Sequence, residues 1–155
     1  MGQGSVRISE ALDGIEVLAV ETAPFIYFVE KNTTYVDRMR AIFQHVNEGT
    51  IQVITSVITL TEVLVRPIQV GNQHYQQEYE EMLLNTEHIV TRSINPNIAR
   101  EAAQMRATYH LRTPDALQIA TAVQTDCQAF LTNDFALRRV NEIPILVLDE
   151  LEMDE

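Results

Sequence analysis

Leu18-Ala-Val-Glu-Thr-Ala-Pro-Phe-Ile-Tyr27 changes character at a single acid. Before that acid, the apolar run 15–20 reads as a buried strand. After it a helical pattern starts almost at once, with Pro24 in the first turn, where a missing N–H costs little. Glu21 stands at the seam. A carboxylate there can simply favour the positive end of the helix. It can also be one ligand of a metal site, provided that other acids converge on the same spot.

Outward from this seam the chain alternates strand and helix. Helices are predicted over 22–30 and 34–47; in the second, Tyr35, Met39, Ile42, Phe43 and Val46 recur at helical spacing and Gly49 closes it. Residues 51–54 read as a strand, 56–66 as a helix stopped near Pro67, 73–84 as a polar helix with one apolar edge, and 88–91 as a short strand. Asn95-Pro96 is a cap followed by proline, opening a helix to Tyr109, and Thr113-Pro114 repeats that signature for a helix to about Gln124. Strands over 129–131 and 145–148 flank a short helical turn over 135–140. Strands separated by helices predict a parallel sheet covered on both faces. In such sheets the functional crevice lies beyond the carboxyl ends of the strands.

Four acids are candidates for that crevice. Glu21 ends the first strand, and Asp134 follows the strand 129–131 in Leu131-Thr-Asn-Asp134. Asp115 lies in the first turn of the helix capped by Thr113. Glu62 lies in Val57-Ile-Thr-Leu-Thr-Glu-Val-Leu-Val65, apolar almost all round, whose only polar stripe is Thr59, Glu62 and Arg66. Each has a plain explanation: helix-start charges for Glu21 and Asp115, a cap for Asp134, an ion pair with Arg66 for Glu62. Four carboxylates at one sheet edge, however, repel one another unless cations lie between them. Hard divalent ions with oxygen ligands, Mg²⁺ or Mn²⁺, suit such a set, and such sites serve phosphodiester cleavage.

At these residues the chain resembles the PIN (PilT N-terminus) domain family, the fold of VapC-type toxins. The resemblance is carried by Glu21-Thr-Ala-Pro-Phe-Ile-Tyr-Phe-Val-Glu30, Ile54-Thr-Ser-Val-Ile-Thr-Leu-Thr-Glu-Val-Leu-Val65, Leu111-Arg-Thr-Pro-Asp-Ala-Leu-Gln-Ile-Ala120 and Phe130-Leu-Thr-Asn-Asp134. It implies a three-layer α/β/α fold with a central parallel sheet and divalent-metal ribonuclease activity. RNA is then the substrate, Mg²⁺ or Mn²⁺ the cofactor, with an antitoxin protein and a homodimer as expected partners. The family's acids map onto Glu21, Glu62, Asp115 and Asp134. Glu21, Asp115 and Asp134 are expected to hold the ion, with Glu62 as a further ligand or orienting base. The family's small polar residue beside the last acid maps onto Thr132 or Asn133. Thr22, Arg112, Thr132 and Asn133 are the expected substrate contacts, with Arg138 and Arg139 further candidates for phosphate. One residue departs from the pattern: the first acid is normally aspartate, and here it is Glu21. The extra methylene moves a carboxylate by roughly 1 Å, a misplacement that can cost about 10²-fold. A catalytically weakened or inactive PIN-like binding module is therefore the alternative reading.

Composition bounds these readings. The chain has 155 residues, 46% of them hydrophobic, which suits one domain over 1–155 with its core at about 15–148. Five acids fall in 149–155, a pattern that predicts a solvated acidic tail. Net charge is −11, so any nucleic-acid contact must be local rather than a broad basic face. No apolar run nears the 18 residues of a membrane span, and residues 1–9 lack the apolar centre of a signal peptide. With the single cysteine, Cys127, these features point to the cytoplasm. Phospho-receiver domains also place acids at strand ends, but they need a lysine at a late strand end. The only lysine, Lys31, lies on an early helix. His45, His74, His88 and His110 show no ligand spacing.

Overall fold

In the computed structural model, which describes residues 5–155, short strands and helices alternate along nearly the whole chain. A two-residue strand Val6–Arg7 (β1) and a one-turn helix Ile8–Ala11 (α1) lead into Val17–Val20 (β2), Thr22–Val29 (α2) and Val36–Asn47 (α3). Gln52–Ser56 (β3), Val57–Val70 (α4), Gln73–Asn85 (α5) and Ile89–Arg92 (β4) follow, then Pro96–Tyr109 (α6), Thr113–Gln124 (α7) and Ala129–Thr132 (β5). A 3₁₀ turn Phe135–Arg139, Ile145–Val147 (β6), a second 3₁₀ turn Leu148–Glu150 and Leu151–Glu152 (β7) end the chain.

Strands β2 to β6 form one parallel sheet in the order β4-β3-β2-β5-β6. Because side chains alternate across a strand, neighbours feed opposite cores. Leu18, Val20, Val53, Ala129 and Leu131 join a cluster with Phe25, Met39, Ile42, Phe43, Tyr79 and Leu83 of α2, α3 and α5. Ala19, Ile54 and Phe130 join a second cluster with Ile98 and Met105 of α6 and Ile119 of α7. The fold is thus the expected three-layer α/β/α sandwich. Each large apolar side chain that it buries contributes about 1.5–3 kcal/mol.

Local chemistry explains most helix ends. Ser56 accepts from the Ile58 N–H at 3.1 Å to start α4, and Asn95 accepts from the Ile98 N–H at 2.9 Å to start α6. Three expectations need correction. Helix α4 does not stop near Pro67 but runs to Val70, closed by Gly71 at φ +70°. A proline in the last turn removes one ladder bond only; its ring is buried and its carbonyl accepts from the Asn72 N–H at 2.8 Å. The residue that caps α7 is Arg112, with no side-chain bond, so Thr113 belongs to the helix itself. The acidic tail is not simply solvated. β7 pairs with β1 (Val6 with Leu151), Leu151 is buried at 4% exposure, and Ser9 donates its hydroxyl to Asp154 at 2.7 Å.

Candidate active site

From β2 the chain moves outward through β3 to β4, then returns to lay β5 on the other side of β2. The gap between the carboxyl ends of β2 and β5 is therefore the topological switch point, where open α/β sheets place their ligand crevices. Val20 is in register with Leu131, so the next residues, Glu21 and Thr132, meet at this gap. The Glu21 N–H donates to the Leu131 carbonyl at 3.2 Å, which fixes the seam between strand and helix. Glu21 occupies the N-cap position of α2, yet its side chain makes no cap hydrogen bond. Its carboxylate accepts instead from the Thr132 hydroxyl. Thr132 is 0% exposed, and its Oγ1 in turn accepts from the Asp134 N–H at 3.0 Å.

The cleft is short of positive charge. Burial pushes the Glu21 carboxyl up from 4.5 to about 7; the Thr132 hydrogen bond opposes this, Asp115 adds to it, the Asn133 N–H opposes it and Asp134 adds to it. Asp115, in the first turn of α7, is 14% exposed and pairs with Arg112 Nε at 3.1 Å. Asp115, then Glu62 and Asp134, hold the Arg112 guanidinium more firmly in its charged form. Glu21 thus feels Asp115 and Asp134, while Arg112 feels Asp115, Glu62 and Asp134. Asp115 and Asp134 therefore lie near both Glu21 and Arg112, and Glu62 lies near Arg112 and Thr22. One oxygen of Asp134 is taken up in capping the 3₁₀ turn, accepting from the Ala136 N–H at 2.9 Å.

Beneath Glu62 lies a buried polar set that the sequence reading missed. Gln118 Nε2 donates to Thr59 Oγ1 at 2.7 Å and to Thr22 Oγ1 at 3.3 Å, and the Ser56 hydroxyl donates to Gln118 Oε1 at 2.6 Å. Thr55 donates to Thr59 at 2.8 Å, and the Thr22 hydroxyl donates to Glu62 Oε1 at 2.5 Å. A signal was present: Gln118 lies three residues after Asp115 on one helix, hence on the same face.

Several expected substrate contacts are turned inward. Thr132 is wholly buried and committed to Glu21 and Asp134, so it is closed to substrate. Asn133 donates to the Tyr27 hydroxyl at 3.3 Å and accepts from the Asp149 N–H at 2.8 Å, a structural bridge. Thr22 gives its one hydrogen to Glu62. Arg138 pairs with Glu150, and Arg139 donates to the carbonyls of Ala136 and Tyr109. Arg112, although paired with Asp115, keeps its side chain 78% exposed, against 51% for Arg138.

The donors of the cleft are carboxylate and hydroxyl oxygens, without sulfur or imidazole, which is the chemistry of a hard divalent cation. The raised Glu21 carboxyl marks a place where added positive charge would be favourable. As the side chains stand, no three Asp, Glu, His or Cys residues among the described residues are grouped closely enough to hold an ion. Among the described residues no helix is long and apolar enough to cross a membrane.

Residues 18–143 match the sequence profile of the PIN domain. No curated protein matches the chain by sequence. Solved structures share its fold. VapBC2 of Rickettsia felis, bound to a DNA fragment from its promoter, has a chain that superposes with a TM-score of 0.66 at 12% identity, over 84% of this chain and 98% of that one. A toxin–antitoxin complex from Klebsiella pneumoniae gives 0.64 at 20% identity, over 84% and 97%. VapC20 of Mycobacterium tuberculosis, described as a toxin that cleaves the sarcin–ricin loop, gives 0.64 at 12% identity, over 82% and 98%.

Proposed function

The chain belongs to the PIN domain family, and from that premise we propose that it is a divalent-metal-dependent ribonuclease acting at the cleft between β2 and β5. The observation that carries this reading is the desolvated Glu21 carboxyl at the switch point, with Asp115 and Asp134 in its field. Glu21, Asp115 and Asp134 would hold Mg²⁺ or Mn²⁺, with Glu62 as a further ligand or orienting base. Such an ion supplies Lewis acidity toward a phosphodiester and activation of a water. The chain's own residues do the rest. Thr132 and the Asn133 N–H orient Glu21, Thr22 orients Glu62, and Arg112 moves from Asp115 to a phosphate oxygen of the RNA. An antitoxin partner belongs to the same reading, supported by the toxin–antitoxin complexes among the similar folds, as do a homodimer and a cytoplasmic place of work.

A second reading, a PIN module that binds without cutting, is favoured by one residue: the family's usual aspartate is Glu21 here, and its carboxyl is half protonated near pH 7. Cleavage of a labelled single-stranded RNA pool with Mg²⁺ or Mn²⁺ separates the two. Wild type is expected to cut weakly, and Glu21→Asp about 10-fold or more faster, because shortening the side chain recovers part of the roughly 10²-fold cost of misplacement. A slower Glu21→Asp would mean that the site is built around glutamate. Silence of both proteins with both metals would leave the binding module.

A further inference from the structure

Gln118 is 5% exposed, in a helix whose other buried positions are almost all apolar: Ala116, Ile119, Ala120, Thr121 and Ala122. An apolar side chain of similar size would fill the same space between α7 and α4 without the cost of burying an amide. Its neighbours Ser56, Thr59 and Thr55 are buried as well. Packing alone therefore does not explain this polar hub.

Counting hydrogens gives the hub a direction. A carboxylate can only accept, and a hydroxyl has one hydrogen to give. Glu62 takes the hydrogen of Thr22 at 2.5 Å, so the Thr22 oxygen can only accept from its other neighbours. Those neighbours are Gln118 Nε2 at 3.3 Å and the Thr59 hydroxyl, also at 3.3 Å. Thr59, giving its hydrogen to Thr22, accepts from Gln118 at 2.7 Å and from Thr55 at 2.8 Å. The amide oxygen of Gln118 faces Ser56, whose own oxygen is taken by the Ile58 N–H and whose hydrogen goes to Gln118 at 2.6 Å. A flipped amide would turn its oxygen to Thr59, draw that hydroxyl's hydrogen away from Thr22 and leave the Ser56 hydrogen without an acceptor, so the run toward Glu62 would break at Thr59. One assignment satisfies every group, and in it all hydrogens run toward Glu62.

We propose that Gln118 is a positioning residue: through Thr22 and Thr59 it fixes the Glu62 carboxylate in the acidic cleft. The hydrogen bonds of Gln118 go to Ser56, Thr59 and Thr22 and none to Glu62, so its effect passes through the Thr22 hydroxyl. The kinetic part of this proposal rests on the ribonuclease reading, and its structural part does not.

The test uses the full chain. Gln118→Met keeps the length and loses the donors; Thr22→Val loses the hydroxyl; Thr22→Ser keeps it. With RNA and Mg²⁺ or Mn²⁺, Gln118→Met and Thr22→Val are each expected to lower kcat by about 10-fold with KM within about twofold, the scale of residues that orient a ligand. The double variant should lose no more than either single one, because both break one path. Thr22→Ser should recover most of what Thr22→Val loses. Unchanged kcat in a folded Gln118→Met, or effects that multiply in the double variant, would overturn the proposal. Nuclear magnetic resonance of the Gln118 side-chain amide supplies a reading independent of cleavage. Both Glu62→Gln and Thr22→Val should shift that amide pair, while Glu48→Gln, on the far end of α3, should not. An amide pair indifferent to Glu62→Gln would overturn the coupling even if RNA is cut. A coupled pair in a protein that cuts no RNA would keep the coupling and remove only the nuclease reading.

Discussion

Glu21 sits in a desolvated notch, steadied by one hydroxyl and one backbone N–H and pressed by two other acids, whereas Glu62 ends a chain of hydroxyls and an amide whose hydrogens all run toward it. The two carboxylates serve one cleft on opposite terms. Glu62 is exposed to solvent, and its carboxylate accepts from the Thr22 hydroxyl, so water and a fixed hydroxyl surround it. Around Glu21 burial outweighs the hydrogen bonds, and the carboxyl is pushed up to about 7. The difference teaches where a cation is needed: beside Glu21, Asp115 and Asp134, and much less beside Glu62.

The sharpest way to break this contrast is at Asp115. Asp115→Asn removes a charge from the Glu21 side and frees Arg112. If that side holds the ion, RNA cleavage should fall by more than about 10²-fold, beyond the 10–100-fold of a residue that only orients a ligand. A rate assay on labelled RNA measures it, and a loss under about threefold would place the metal elsewhere.

The next largest effect is on stability. In the metal-free folded chain Glu21 keeps its proton to about pH 7, while an ordinary glutamate loses it near 4.5. A raised carboxyl stabilises the fold below the lower value and loses that contribution as pH rises through the higher one. Unfolding free energy should therefore fall between about pH 4.5 and 7, by up to about 3 kcal/mol, since each tenfold gain in proton affinity on folding is worth about 1.4 kcal/mol. Glu21→Gln should flatten this stretch of the curve and be the more stable protein at pH 8. Urea titrations across the range check it, and equal slopes for both proteins would mean that Glu21 is ionised in the fold.

A smaller effect concerns the ion directly. Mg²⁺ or Mn²⁺ at about 100 times its dissociation constant should stabilise the fold by about 2.7 kcal/mol. For a domain of this size that raises Tm by roughly 5–10 °C. The gain should shrink in Asp115→Asn and survive in Thr22→Val. A loss of equal size in both would erase the distinction between the two carboxylates.

How much of this was legible beforehand follows from the length of each signal. The strands of the main sheet are short apolar runs, so Glu21 and Asp134 could be set at strand ends from spacing; Asp115 opens a helix that follows another helix, and its place beside them rested on the family resemblance. Glu62 was legible as a lone acid on an apolar helix. Gln118 was hidden because Ala116-Leu-Gln-Ile-Ala120 reads as core, and a polar hub shows itself only when Ser56, Thr59 and Thr22 from two other elements arrive beside it. The inward turn of Thr132 depends on strand register, which no local pattern reports. β1 and β7 have two residues each, too few for any periodicity.

That last pair has a consequence for how the molecule breathes. Val6 and Leu151 are partners although nearly the whole described chain lies between them. A strand of two residues protects few amides, and low-stability units of this kind open on their own. In deuterium exchange the amides of residues 6–7 and 151–152 should therefore label together, as one unit assembled from opposite ends of the sequence. The opening has a natural stop at Asp149, whose N–H is held by Asn133 and whose carboxylate accepts from Tyr35 at 2.8 Å. Fraying can begin at both ends of the described chain and still halt one residue short of Asp134.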